Sequence, residues 1–138
     1  MKQFLKRGLA VLFALLVLFG SITLHTIVQS QHYSRLINYV GIVRGATQRL
    51  VKLELENRPN DPLIEYLDGI LNELNTGNGE YGLPLLEDET YRQNLYELSR
   101  MWGDIKEMIS SYRSADENEE ALLDLSEKYF EKANDTVF

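Results

Sequence analysis

Residues 91–112 read YRQNLYELSRMWGDIKEMISSY, and their apolar positions decide the fold class. Tyr91, Leu95, Leu98, Trp102, Ile105, Ile109 and Tyr112 follow one another at steps of four and three. Such steps keep side chains on one face of an α-helix, because a turn takes ~3.6 residues. A strand would need every second residue to be apolar, and Gln93, Glu97 and Ser99 break that alternation. The heptad repeat is the pattern of a helix packed along a bundle seam.

Turn signals close this helix on both sides. Upstream, Thr76-Gly77-Asn78-Gly79-Glu80-Tyr81-Gly82 and the following Leu83-Pro84 form a loop, so the helix is expected to begin near Asp88. Downstream, Ser114 to Asn118 breaks the pattern, and Asp116 three residues before Glu119 resembles a capping box. Leu122, Leu125, Tyr129, Ala133 and Val137 then line a last helix. No glycine or proline stops that helix before Phe138, and the expectation is a chain that runs on toward a second membrane helix. Before the loop, Asp61 as N-cap and Pro62 in the first turn start a helix lined by Leu63, Leu67, Ile70, Leu71 and Leu74. Earlier still, Ser30 to Glu56 carries a stripe of Leu36, Tyr39, Val43, Ala46, Leu50 and Leu53, ended by Asn57-Arg58-Pro59-Asn60. No strand pattern occurs anywhere. The reading is all-α: an N-terminal transmembrane helix, then an antiparallel up-down four-helix bundle over residues 30–138.

Residues 8–28, from Gly8 to Val28, are 21 in a row without a formal charge. A helix crosses a membrane with ~20 apolar residues. Lys2, Lys6 and Arg7 precede the segment, and the first acid is Glu54. By the positive-inside rule residues 1–7 are a cytoplasmic tail, and the bundle is extracytoplasmic, with residues 1–138 crossing the cell membrane once. A cleaved signal peptide shares the basic start, but its apolar core is usually shorter, ~7–15 residues. Of 14 basic residues those three are set aside, which leaves 11 against 21 acids and a net charge near −10 for the remainder. So acidic a domain argues against nucleic acid as a partner. The absence of cysteine rules out a disulfide scaffold, a thiolate zinc site and a cysteine nucleophile.

No catalytic constellation emerges. The two histidines, His25 and His32, both lie beside the membrane segment, and paired acids such as Glu54 and Glu56 read as a solvated face. Met101, Trp102, Ile105 and Met108 sit at core spacing, and Gly77-Asn78-Gly79 is a turn, not a phosphate loop. The expectation is a non-enzyme without cofactor or metal. The unusual stretch is Ile37 to Leu50, where Gly41 and Gly45 stand in a helix interior at a cost of ~1 kcal/mol each relative to alanine. Four residues apart, they share a face that admits another helix closely. Arg44, Gln48 and Arg49 border it. If two copies pack there about a two-fold axis, two Arg44 guanidinium groups converge, and a small anion would bridge them through paired donors. The alternative is that Arg44 and Arg49 pair with acids on neighbouring helices.

Ile37, Asn38, Gly41, Arg44, Arg49 and Leu50 form the pattern I-N-x-x-G-x-x-R-x-x-x-x-R-L, which resembles the P-box of nitrate and nitrite sensor kinases. It is also similar to the first helix of the N-terminal domain of type IV pilus methyl-accepting chemotaxis transducers. The longer run through Leu55 resembles input domains found ahead of diguanylate cyclase or histidine kinase modules. Trp102 and the segment Leu125 to Phe130 fit that general layout. The resemblance implies a ligand-sensing input region and a homodimer through the first helix. It also implies that Arg44 holds an anion between protomers; Gln48, one turn further along, and Arg49 are expected to support it. Gly45-Ala46-Thr47 stands where the nitrate sensors carry bulkier residues, so nitrate in particular is not implied. A membrane-anchored scaffolding bundle without a ligand is the rival reading.

Overall fold

The computed structural model describes residues 2–115 and 119–137. It contains four helices: α1 (Lys2–Leu55), α2 (Asp61–Thr76), α3 (Glu89–Ala115) and α4 (Glu119–Val137). Among the described residues there is no strand. The chain divides into two compact units, residues 1–34 and 35–138.

The first unit is the start of α1, and it contains an uncharged stretch long and apolar enough to cross a membrane. Phe4, Phe13, Leu16 and Phe19 are among its large apolar side chains that face outward. Soluble domains rarely leave so continuous an apolar surface uncovered. The three hydroxyls of residues 8–28 are satisfied internally. The hydroxyls of Ser21, Thr23 and Thr26 donate to the carbonyls four residues back, at 2.9, 2.9 and 3.0 Å. That is how hydroxyls are accommodated where water is absent.

In the second unit each helix ends where local chemistry stops it. The last turn of α1 closes with Asn57 at φ 54°, while Arg58 N–H donates to Leu53 O and Asn57 N–H to Glu54 O, both at 2.9 Å. This pair of bonds is a Schellman closure with asparagine in the left-handed position that glycine usually fills. The stop therefore lies at Asn57, ahead of the expected influence of Pro59. At the start of α2 the cap is Asn60, one residue before the expected Asp61. Its side chain accepts from Leu63 N–H at 3.1 Å, and Asp61 and Pro62 occupy the first turn. Gly77, at φ 69°, ends α2 by donating to Glu73 O at 2.7 Å. Asp88 caps α3 by accepting from Tyr91 N–H at 2.8 Å, so the expected start holds. The capping role of Asp116 lies outside the described residues.

The core follows the periodicity most faithfully on α3, where all seven heptad residues are buried. On α1 the buried set is Leu36, Val40, Val43, Thr47, Leu50, Val51 and Glu54. Tyr39, Ala46 and Leu53, read from the sequence as core, are only half-buried at its flank. Tyr129 and Ala133 of α4 and Leu67, Ile70, Leu71 and Leu74 of α2 complete the centre.

Among the charged groups that fasten this unit are Arg113, Asp68 and Glu73. Arg113, near the end of α3, grips the buried Glu54 of α1 with two parallel bonds, Nε to Oε2 at 2.8 Å and a terminal nitrogen to Oε1 at 2.6 Å. Its third nitrogen reaches Asp61 at 2.7 Å. The bonds to Glu54 hold the guanidinium above its ordinary pKa, against the opposing effect of burial. Asp68 of α2 accepts from Trp102 Nε1 and Lys106 Nζ of α3, both at 2.7 Å. The fully buried Glu73 carboxylate accepts from the backbone N–H groups of Tyr81 and Leu83 at 2.8 and 2.7 Å, folding the glycine loop over itself. A Cβ on Gly79 would stand 2.1 Å from that carboxylate, which is why a glycine passes here.

Candidate functional site

The stretch Ile37 to Leu50 is continuous helix within α1. At ~100° per residue, Gly41, Gln48, Arg49 and Lys52 lie within ~60° of the direction of Gly45, and Arg44 lies ~100° to one side. This strip is open. A Cβ placed on Gly41 or Gly45 would meet nothing within 4 Å. Asn38, Gly45, Arg49 and Lys52 are exposed. Among the described residues the two glycines therefore serve no close approach.

Arg44 leads from this strip to α4. It donates to Asn134 Oδ1, and its guanidinium lies 4.8 Å from the centre of the Phe130 ring. A ring face attracts a cation but does not neutralise it. Gln48, one turn further, donates to Glu127 Oε1 at 3.1 Å. Neither arginine follows the alternative in which both pair with acids of neighbouring helices. Among the described residues Arg44 has no carboxylate partner, and Arg49 makes no ion pair or hydrogen bond. Arg44 and Gln48 are thus brought together on the α4 side of the strip, while Arg49 stands apart on the other flank.

Beneath this surface lies a feature that apolar periodicity does not reveal. Thr47 of α1 and Tyr129 of α4 are fully buried, and neither hydroxyl has a hydrogen-bond partner. Burial raises the Tyr129 phenol well above its ordinary pKa, opposed only by the nearby Thr47 hydroxyl. The two groups are neighbours without making a bond of normal geometry. Among the described residues Tyr91 is the third unpaired buried hydroxyl, and burial pushes its phenol up to about 12. Thr47 lies within the stretch singled out by its glycines and arginines, but a threonine among valines carries no signal of burial. Phe130 and Asn134, the partners of Arg44, sit four residues apart on α4; Phe130 enters the sequence reading only as the end of the segment Leu125 to Phe130, and Asn134 carries no signal there.

No family model matches this sequence, and neither a curated protein nor a solved structure matches it.

Proposed function

We propose that this chain is the ligand-sensing input region of a membrane receptor, non-enzymatic in itself. In this reading residues 8–28 span the cell membrane with residues 1–7 cytoplasmic. Residues 30–138 form an extracytoplasmic, antiparallel up-down four-helix bundle that pairs with a second copy through α1. A small anion binds at the dimer interface, held by Arg44 with Gln48 and Arg49 in support. The observation that carries the reading is the charge of Arg44: its partners are an amide oxygen and a ring, so its cation remains available to an anion. The open strip at Gly41 and Gly45 supports the same reading, because it leaves room for a second helix backbone. A bound anion acts by favouring one arrangement of the paired helices over another, and only to the extent that it binds that arrangement more tightly.

The test is thermal unfolding of the detergent-solubilised chain with millimolar nitrate, nitrite, sulfate or phosphate at matched ionic strength. An anion at 100 times its dissociation constant stabilises the folded state by ~2.7 kcal/mol, a shift of several degrees. The expected result is a shift with one anion that disappears in Arg44→Ala. A shift that persists in Arg44→Ala places the anion elsewhere, and no shift with any anion refutes the anion reading.

A second reading is a membrane-anchored scaffolding bundle, favoured by the same contact of Arg44 with Asn134 and Phe130. There Arg44 serves packing alone, and Arg44→Lys, which keeps the charge, changes little. A site using paired guanidinium donors loses its anion response on that exchange.

A further inference from the structure

We infer that Arg49 is a contact to a second copy of this chain, pairing with an acidic stripe on α4 of the partner. The inference rests on the α1 pairing of the proposed function and specifies what meets across it. Arg49 and Lys52 are exposed cations on the open strip of α1, and neither has a carboxylate partner among the described residues. On α4, Glu120, Asp124, Glu127 and Glu131 follow at steps of four, three and four, so they share one exposed face. Within the chain, Asp124 pairs with Lys128 at 2.6 Å and Glu127 accepts from Gln48 at 3.1 Å. Glu120 and Glu131 have no ion pair among the described residues. The stripe therefore keeps a surplus of negative charge beside a helix whose open strip is positive.

Helix geometry decides which cation meets the stripe. Arg44 marks the direction of the chain's own α4, ~100° to one side of Gly45. When two copies face each other across a two-fold axis running along α1 in front of Gly45, the partner's α4 falls on the opposite flank. With axes ~8–10 Å apart, that direction is ~40° to the other side of Gly45, and ~40° is where Arg49 projects. The heights agree as well. The Gln48–Glu127 bond sets Arg49 level with Glu127 of its own chain, and a two-fold axis along the helices preserves level between copies. Two chains anchored in one membrane have that parallel arrangement. Arg49 of one copy thus reaches the partner's Glu127 and Asp124, and the symmetric contact forms at the same time. Arg44 cannot make this contact, because it is turned toward its own α4.

The chain contains no cysteine, so introduced thiols report without background. Three single-cysteine full-length variants are made, Gly45→Cys, Arg49→Cys and Glu127→Cys. Gly45→Cys is oxidised in detergent micelles. Arg49→Cys co-purified with Glu127→Cys is treated there with a short bis-maleimide, because the two long side chains bridge a gap too wide for a direct disulfide. No single-cysteine chain can crosslink within itself. Gly45→Cys is expected to form covalent dimers with itself, and Arg49→Cys to form them with co-purified Glu127→Cys. Reversal of charge in Arg49→Glu should weaken dimerisation by roughly tenfold or more, since like charges across an interface cost several kcal/mol. Glu127→Arg in the same chain should restore it. Crosslinking through Gly45→Cys without the mixed Arg49–Glu127 product overturns the Arg49 contact and leaves the α1 pairing standing. Absence of both products, with a monomer by sedimentation, overturns the pairing itself. Failure of Glu127→Arg to rescue Arg49→Glu also overturns the contact.

Discussion

The two flanks of α4 are held by different chemistry. Toward α3, Lys132 reaches both Asn94, at 2.9 Å, and Glu97, and Trp102 packs on Tyr129 with ring centres 6.4 Å apart. The hydrogen bond from Lys132 holds the Glu97 carboxyl below its usual pKa. Toward α1 the contacts are Arg44 to a neutral amide, Gln48 to an exposed glutamate, and two buried hydroxyls that pair with nothing. Elsewhere in the unit every buried carboxylate has its donors: Glu54 has Arg113, and Glu73 has two backbone N–H groups. A seam held by a hydrogen-bonded ion pair has one good arrangement. A seam with unmatched buried hydroxyls gains less from its present arrangement.

The contrast is broken most directly at its strong end. Arg113→Ala leaves the Glu54 carboxylate buried without a counter-charge, and removing one partner of a buried pair typically costs ~3–5 kcal/mol. Urea unfolding should show that loss. The double variant Arg113→Met with Glu54→Leu should recover most of it, because the charge and its partner leave together. If Arg113→Ala costs less than about 1 kcal/mol, the clamp is not a fastening of the unit and the contrast fails.

Glu73→Gln is the next test. The carboxylate accepts two backbone N–H bonds, whereas an amide has one oxygen and turns its NH2 toward the other donor. Leaving a buried donor unsatisfied costs ~1–3 kcal/mol. The loss should be local, read as faster hydrogen exchange at the amides of Tyr81 and Leu83 before any general unfolding. Unchanged exchange there would mean that the loop is held by other contacts.

These two tests also mark where the sequence could be read and where it could not. The heptad on α3 was legible because seven apolar residues at regular steps need no partner to be recognised. The stripe on α1 was read with Tyr39, Ala46 and Leu53 in the core, while Thr47 and Glu54 take buried places there. Glu54 is buried with a counter-charge, and the one that serves it is Arg113, 59 residues away. Spacing along one helix cannot report such a pair. The glycines and arginines of the candidate site were visible as an oddity of composition. Their sorting into a flank facing α4 and a flank facing outward was not, because it depends on Asn134 and Phe130 in a different helix.

Alkaline titration compares the unmatched hydroxyls with each other. The folded state holds the Tyr91 phenol at about 12, above the ordinary value of 10.0. A raised pKa means that the unfolded chain releases its proton first. The contribution of Tyr91 is therefore whole below pH 10 and is lost as pH rises toward 12, amounting to roughly 2 kcal/mol at the end of that range. Tyr91→Phe should flatten this part of the stability profile. An equal slope in that variant would assign the loss to other groups.

The smallest expected effect bears most directly on the α1–α4 seam. If the Tyr129 hydroxyl is buried and unpaired, as is that of Thr47, then Tyr129→Phe removes a desolvated group that gives nothing back. The same reasoning holds for Thr47→Val, which keeps the shape of the side chain. Each change, and the two together, should alter stability by less than about 0.5 kcal/mol or raise it, since replacing unsatisfied polar groups by apolar ones of the same shape is close to neutral. A different pattern follows if the hydroxyls bond to each other in solution. Each single variant would then cost ~1 kcal/mol, and the double variant would cost no more than either alone. That non-additivity would make the seam a matched one and remove its contrast with the α3 side. Near-zero values that add would leave α1 and α4 joined at their centre by packing alone, and Arg44 with its open strip would then be the principal charged feature of that seam.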